Sequence, residues 1–321
     1  MPRTDHTAAR GAIERLAPTA NTIVVATDAT TNADGAVRVG YALAKRDGVY
    51  ADLFSVVEPL PLFAPDGTPI PDAEQLVMIA TDARGTALRA QRDRTHPGIK
   101  QWLFTVDVGA RVETIVQRAE RHDASLILLG IGAHGVAARI NRRETALGVI
   151  RAAQKPVLAI PGDAWGVPHS ALAALDFTAS SEHAARVALD LLGGEGTLYL
   201  AHVTPRIPIP QGDSRTWVEI TTSAVVPKLE AIARHLDVSP AIRVEYVLLH
   251  GDPAHELLTF ADQLEIDLIA AGTHGRGALG RLLLGSVSTK LIRTANRMVL
   301  IAPPRPGLAL ADGGLPPSDW S

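Results

Sequence analysis

An internal repeat constrains the fold of this sequence more than any other feature. Three apolar segments of the first half recur, in the same order, in the second half of the 321-residue chain. The matched pairs are 22–28 with 171–176, 125–130 with 267–272, and 155–161 with 297–303. The last two pairs share one spacing and the first differs slightly, as insertions in loops would produce. The chain is therefore predicted to contain two copies of one structural unit.

Each copy is predicted to have five apolar strands separated by four helices. In the second half the strands are expected at 171–175, 197–203, 243–249, 267–271 and 298–302. The helices are expected to begin after Ser180 or Ser181, at 224 with a start or interruption near Pro227, at Asp252–Pro253, and at Ser286. Alternating strands and helices form parallel sheets through right-handed crossovers. The predicted class is α/β, with two tandem Rossmann-like domains, each a five-stranded parallel sheet with helices on both faces.

The repeat also predicts where the domains begin and end. The first domain is assigned to 21–162, a linker to 163–169, and the second domain to 170–304. The two ends, 1–20 and 305–321, are rich in proline, glycine or polar residues, and they are expected to be flexible.

Composition excludes several classes of protein. The chain carries 31 basic and 34 acidic residues, a net charge of −3, so no general affinity for nucleic acid or an anionic membrane is expected. It contains no cysteine, which excludes disulfides and thiolate metal sites. No stretch approaches the roughly 18–20 apolar residues of a membrane helix, and the first residues lack the apolar region of a signal peptide. A cytoplasmic protein without a membrane partner is therefore predicted.

A glycine-rich segment separates the fourth predicted strand of the second half from its last predicted helix. It contains Gly272, Gly275, Gly277 and Gly285, followed by Ser286. Glycines allow backbone N–H groups to turn toward one point, and a helix N-terminus attracts anions. Arg276 or Arg281 would add positive charge. Because ligands of open α/β sheets bind at the carboxyl ends of the strands, the segment is predicted to hold phosphate groups.

The spacing in this segment resembles the nucleotide-binding members of the universal stress protein family. Those members carry Gly-x2-Gly-x9-Gly-(Ser/Thr), and this chain has Gly272, Gly275, Gly285 and Ser286 at that spacing. An aspartate at the end of the first strand, here Asp28 and Asp176, and the Gly251–Pro253 segment are similar as well. The resemblance covers almost all of 22–162 and 169–304, and it implies a tandem member with domains like those of adenine nucleotide alpha hydrolases.

The resemblance implies ATP, alone or with Mg²⁺, as the ligand of the second half. The candidate binding residues are Asp176, Val203, Gly272, His274, Gly275, Arg276, Gly277, Gly285, Ser286, Val287 and Ser288. The glycines and Ser286 would hold ribose and phosphates, Asp176 the ribose or a metal, and the backbone of Val203 the adenine. Two alternatives stay open, since a strand-end aspartate commonly caps the following turn, and His274 either contacts phosphate or only stabilises its loop.

The first half departs from this pattern. Arg143 and Glu144 occupy the positions of Gly285 and Ser286, or Thr145 and Ala146 if the alignment shifts. A glutamate near phosphates would repel them, so the first half is not expected to hold ATP as the second does. The weaker candidates in the first half are Asp28, Gly130, Gly132 and Gly135.

The function predicted from the sequence is that of an ATP-binding regulatory protein of the stress response. One alternative is a weak ATPase or an adenylyl-transferring enzyme, although the motif contains no evident second acid or base, and no catalytic residue is assigned. A second alternative is a structural or interaction module that binds no nucleotide. No metal ligands are assigned, because His250 and His255 are separated by a predicted turn. The halves are expected to pair through their last strands, and dimerisation of the chain is left open.

Overall fold

The computed structural model describes residues 22–59, 72–97, 102–131, 136–205, 214–273 and 284–305, with the backbone alone for 136–142 and 214–221. The strands are β1 Thr22–Ala26, β2 Tyr50–Val57, β3 Phe104–Val108, β4 Leu126–Gly130, β5 Val157–Ile160, β6 Ser170–Ala174, β7 Gly196–Thr204, β8 Ile242–His250, β9 Leu268–Gly272 and β10 Met298–Ala302. The helices are α1 Asp34–Asp47, α2 Ala73–Thr95, α3 Arg111–Arg121, α4 Val136–Ala152, α5 Ala179–Leu192, α6 Ser214–Leu236, α7 Pro253–Gln263 and α8 Ser286–Thr294.

All of these strands lie in one continuous sheet, in the order β3-β2-β1-β4-β5-β10-β9-β6-β7-β8. Within each half every pairing is parallel, and the strand order of the second half repeats that of the first. β5 and β10, the last strands of the two halves, pair in antiparallel orientation. The α/β class and the pairing through the last strands are therefore confirmed.

Helices cover both faces of the sheet, as predicted. Alternate residues of a strand point to opposite faces, and Val24 and Val25 of β1 belong to different hydrophobic clusters. Buried residues of α1, α5 and α6 lie in one cluster, and those of α3, α4, α7 and α8 lie in the other. Each cluster contains residues from both halves, so the two halves share their core. Within the described residues, no helix has both the length and the apolar composition that a membrane span requires.

Two predictions about helices of the second half were wrong. The N-cap of α5 is Thr178, not Ser180 or Ser181: the Thr178 side chain accepts from the Ser181 backbone N–H, and the Ser181 side chain bonds back to the backbone of Thr178. Helix α6 continues through Pro227. A proline removes one helical hydrogen bond, but α6 buries Val225 and Leu229 on either side of it. The predicted starts of α7 after Asp252 and of α8 at Ser286 are confirmed.

Side chains of α1 and α4 also join the halves. Glu144 of α4 accepts from Arg293 of α8 at 2.8 Å. Arg143 is buried and donates to the carbonyl of Ala295 at 2.9 Å. Arg46, at the end of α1, donates to the carbonyl of Leu191 at 2.6 Å. These contacts and the β5–β10 ladder together hold the halves in one orientation.

The packing at the junction between the halves, where β5 pairs with β10, predicts that Leu158→Ala strongly destabilises the fold. Leu158 is fully buried in β5 and lies opposite Leu300 of β10, so truncation leaves a cavity and is expected to lower the free energy of unfolding by about 2–5 kcal/mol. The matched control is Leu103→Ala, because Leu103 is 51% exposed, and its expected change is within about 0.5 kcal/mol. Urea unfolding followed by circular dichroism measures both. Equal losses in the two variants would contradict a shared core at the junction.

Candidate functional site

The candidate site of the second half lies where β6 and β9 run side by side. β6 continues through α5 to β7 on one side, and β9 continues through α8 to β10 on the other. Such a reversal of strand order opens a crevice outside the carboxyl ends of the two strands. Asp176 follows β6 and Gly272 ends β9. The structure therefore brings together two regions that the sequence separates by almost a hundred residues.

Asp176 stabilises the turn between β6 and α5. Its Oδ1 accepts from the Thr178 backbone N–H at 3.2 Å and from the Thr178 hydroxyl at 2.6 Å. Phe177 between them has the left-handed φ of 63°. Asp176 thus caps the turn that follows β6, which was one of the two alternatives for this residue. A contact between Asp176 and a ligand stays a prediction.

Gly272 permits a close approach between β9 and the first turn of α5. A Cβ at this position would lie 2.4 Å from the hydroxyl oxygen of Ser180 and 2.8 Å from the backbone nitrogen of Ser181. Gly130 has the matching role in the first half, where a Cβ would lie 2.8 Å from Cα of Ala33. The glycine that ends the fourth strand of each half is therefore required for packing, whatever it contributes to a ligand.

Helix α8 begins beside the carboxyl end of β9 because three hydrogen bonds hold it there. The backbone N–H of Gly285 donates to the carbonyl of Thr273 at 2.8 Å, and that of Thr273 donates to Ala302 at 3.0 Å. The hydroxyl of buried Ser288 donates to the carbonyl of Gly272 at 2.6 Å. The hydroxyl proton of Ser288 is thereby engaged within the fold. The ends of the segment between Thr273 and Gly285 are held next to each other.

The first turn of α8 presents donors rather than a side-chain cap. Its N-cap is Gly285, and glycine offers no side-chain acceptor to the first N–H groups of the helix. Ser286, the first helical residue, is exposed. A helix N-terminus of this kind carries partial positive charge, and it favours an anion over a cation.

The other candidates are placed as follows. Val203 and Val287 are partly buried and pack against the cluster that contains Ile269 and Ala271 of β9. His274, Gly275, Arg276 and Gly277 of the second half, and Gly132 and Gly135 of the first, lie outside the described residues. Their ligand contacts stay predictions.

Sequence reasoning missed two neighbours of this site. His202 of β7 lies with Nδ1 2.6 Å from the carbonyl of Leu175, and its ring centroid is 4.8 Å from that of Phe177. Thr178 holds Asp176 and caps α5. A threonine shortly before the helical pattern is a local signal for an N-cap, whereas only the β6–β7 pairing reveals His202.

The first half repeats this backbone arrangement with different side chains. Asp28 Oδ1 accepts from the backbone N–H and the hydroxyl of Thr30, at 3.0 and 2.8 Å, and Ala29 has a φ of 62°. A cavity of about 300 Å³ lies next to Asp28 and Gly130. Thr145 and Ala146 line the cavity.

Glu144, which is expected to repel phosphates, has a cationic partner in the structure, and the repulsion itself stays a prediction. Glu144 forms an ion pair with Arg293 of α8, and Arg143 donates to Ala295, so both side chains are engaged at the junction between the halves. The reason is the β5–β10 pairing, which packs α4 against α8 and gives Glu144 a cationic partner there.

Metal binding by clustered side chains has no support in the described part of the chain, where no group of three or more histidine, aspartate or glutamate residues converges.

His250 and His255 have separate hydrogen-bond partners. His250 contacts the hydroxyl of Thr204 through Nδ1 at 2.6 Å, and the backbone N–H of His255 donates to Asp252 at 2.9 Å. Lys290 of α8 donates to the same carboxylate at 2.9 Å, and this hydrogen bond lowers the pKa of Asp252.

Comparisons with known proteins agree with this arrangement. A family model described as the universal stress protein family matches twice, over residues 19–161 and 169–303. A universal stress protein of Mycolicibacterium smegmatis is 26% identical over 289 residues, which cover 88% of this chain and 97% of that protein. One from Mycobacterium tuberculosis is 26% identical over 236 residues, 72% of this chain and 77% of that protein.

A solved structure is similar over most of the chain. The crystal structure of a universal stress protein from Archaeoglobus fulgidus superposes with a TM-score of 0.59 at 19% identity. The match covers 89% of this chain and 97% of that one. At this identity the similarity concerns the fold.

The packing of Gly272 predicts opposite effects for two glycine-to-alanine substitutions. Gly272→Ala places a Cβ against backbone atoms of α5 and is expected to lower the free energy of unfolding by about 1–3 kcal/mol. Gly85→Ala, inside α2 where nothing lies within 4 Å of the added Cβ, is expected to raise it by about 0.5–1 kcal/mol. Thermal and urea unfolding measure both changes. A neutral Gly272→Ala would show that β9 and α5 are less closely packed.

Proposed function

Because this chain belongs to the universal stress protein family, we propose that its second half binds an adenine nucleotide, with ATP as the first candidate. The proposed site is the crevice between β6 and β9. The observation that carries the proposal is the N-terminus of α8, which lacks a side-chain cap and is held beside the carboxyl end of β9. An anion at that position would accept from backbone N–H groups and interact favourably with the helix dipole.

The chemistry of the donors in the crevice fits a phosphate-bearing ligand. The backbone of the first turn of α8 and the exposed hydroxyl of Ser286 donate to phosphate oxygens. The carboxylate of Asp176, at the end of β6, is suited to a ribose hydroxyl or to Mg²⁺, since carboxylates are ligands that Mg²⁺ prefers. Gly275, Arg276 and Gly277 are included in the proposed phosphate-binding site on the evidence of the sequence motif alone.

We assign this nucleotide a regulatory role in a cytoplasmic protein rather than a catalytic one. Phosphoryl transfer requires a positioned nucleophile, and usually a metal with basic groups around it. What supports regulation is the position of α8, which begins at the crevice with Ser286 and ends at the junction, where Arg293 pairs with Glu144 of the first half. A ligand that holds the first turn of α8 would therefore bias how the halves associate, if it binds one arrangement better than the other.

The proposal predicts one bound ATP per chain, measured by equilibrium dialysis with purified full-length protein. Gly285→Glu is expected to abolish binding, because it adds a side chain and a negative charge at the N-cap of α8. The matched control is Leu264→Glu, which adds the same charge at the other end of the domain, after α7, where Leu264 is 49% exposed. The control is expected to bind ATP like the unchanged protein.

Three outcomes would count against the proposal. One is the absence of saturable binding below about 1 millimolar, which corresponds to only ~4 kcal/mol of binding free energy. Another is equal loss of binding in the two variants, when circular dichroism shows both to be folded. A third is two equivalent ATP molecules per chain, which would place a nucleotide in the first half as well.

A further inference from the structure

The cavity of the first half differs chemically from a phosphate-binding loop. It measures about 300 Å³ and lies at the carboxyl ends of β1 and β4. Its apolar wall consists of Ala26, Ala33, Val56, Ile115, Leu129 and Ala146. Arg84 and Arg111 also line it, together with Asp28. The charged lining in the described part of the chain therefore has one more positive group than negative.

Arg84 directs its guanidinium toward the ends of β1 and β2. It extends from α2, and its Nη1 donates to the main-chain carbonyl of Asp28 at 2.9 Å and to the hydroxyl of Ser55 at 3.2 Å. Both acceptors are neutral oxygens, so these two contacts orient the guanidinium without neutralising its charge. Ser55 is itself buried. An arginine held in this way is pre-organised for an anion that enters the cavity.

Arg111 brings the second positive charge from the first residue of α3. Its Nη1 lies 3.4 Å from the hydroxyl of Thr145, and its Nη2 donates to Glu58 at 2.7 Å. The side chains of Arg111 and Glu58 are 40% and 53% exposed, and exposed ion pairs contribute about 0–1 kcal/mol. A ligand anion can therefore replace Glu58 as the partner of Arg111 with a free-energy loss of at most about 1 kcal/mol.

Neither arginine is matched by an arginine at the corresponding helix position of the second half. Helices α2 and α6 each have 23 residues, and aligned end to end they place Val225 opposite Arg84. Helices α3 and α7 each have 11 residues, and they place Pro253 opposite Arg111. These two positions carry no charge in the second half, where Lys228 of α6 instead places its ammonium group 5.4 Å from the ring centroid of Phe177, in the turn after β6.

We infer that the first half binds a small organic anion, a carboxylate or phosphate monoester on an apolar body, whose negative group is held by Arg84 and Arg111. Guanidinium groups match the geometry of both anions. The cavity volume of about 300 Å³ is at the lower end of ligand pockets, which are mostly apolar with a few placed polar groups. The two sites of the chain then recognise different ligands, and this inference does not depend on ATP binding in the second half.

The test is isothermal titration of the full-length protein with phenyl phosphate and, in parallel, with benzoate. The probe with the lower dissociation constant identifies the anionic group that the cavity prefers. Phenol serves as the neutral counterpart with the same ring. One site per chain is expected for an anion, with phenol at least about tenfold weaker. Arg84→Leu and Arg111→Leu are each expected to weaken binding by about tenfold or more.

Controls separate this site from its surroundings. Arg89→Leu removes an exposed arginine from the same helix and is expected to leave anion binding unchanged. Arg84→Lys keeps the charge and retains part of the affinity, which keeps the test informative if Arg84→Leu fails to fold. Gly285→Glu, in the other half, is expected to bind the anion normally, so a failure of the nucleotide proposal is distinguishable from a failure of this one.

The inference is overturned by any of four results. The first is that neither probe saturates below about 10 millimolar, and the second is that phenol binds as tightly as the anions. The third is that both leucine variants bind the anion like the unchanged protein. The fourth is that ATP displaces the anion at one equivalent, which would make the cavity a second nucleotide site.

Discussion

The antiparallel pairing of β5 with β10 is the interaction on which the rest of the structure depends. Without it each half would expose an edge strand of buried apolar residues, and the unpaired backbone of such an edge promotes association with other chains. The pairing instead makes one sheet and reverses strand direction at the junction. The strands of the two halves consequently point in opposite directions, and their carboxyl ends lie at opposite ends of the strands of the continuous sheet. Each crevice is therefore formed by its own half.

The two crevices share a backbone and differ in side-chain chemistry. Asp28 and Asp176 hold equivalent turns, and Gly130 and Gly272 permit equivalent close packing. In the second half the donors are backbone groups at the start of α8. In the first half they are guanidinium groups carried by α2 and α3. The two units therefore share the geometry that creates a crevice and differ in the chemistry of its lining, which supports the proposal of two different ligands.

Helix α8 connects the second crevice to the first half over only nine residues. Its first turn is fastened to β9 through Ser288, and its last turn contacts α4 through Arg293. A short, well-held helix moves as a unit, so a ligand at one end and an interface at the other act on the same element. The proposed nucleotide would therefore have a direct physical route to the packing of the halves.

The sequence by itself determined the features that depend on neighbouring residues: the alternation of strands and helices, the Asp252–Pro253 start of α7, and the start of α8 at Ser286. The resemblance to a family added the pairing of the last strands. Only the tertiary structure decided that Glu144 pairs with Arg293, that Gly272 packs against Ser180, and that Arg84 and Arg111 share a cavity. These contacts join residues far apart in the chain, and no local propensity or spacing encodes which distant side chain the folded sheet will bring beside another.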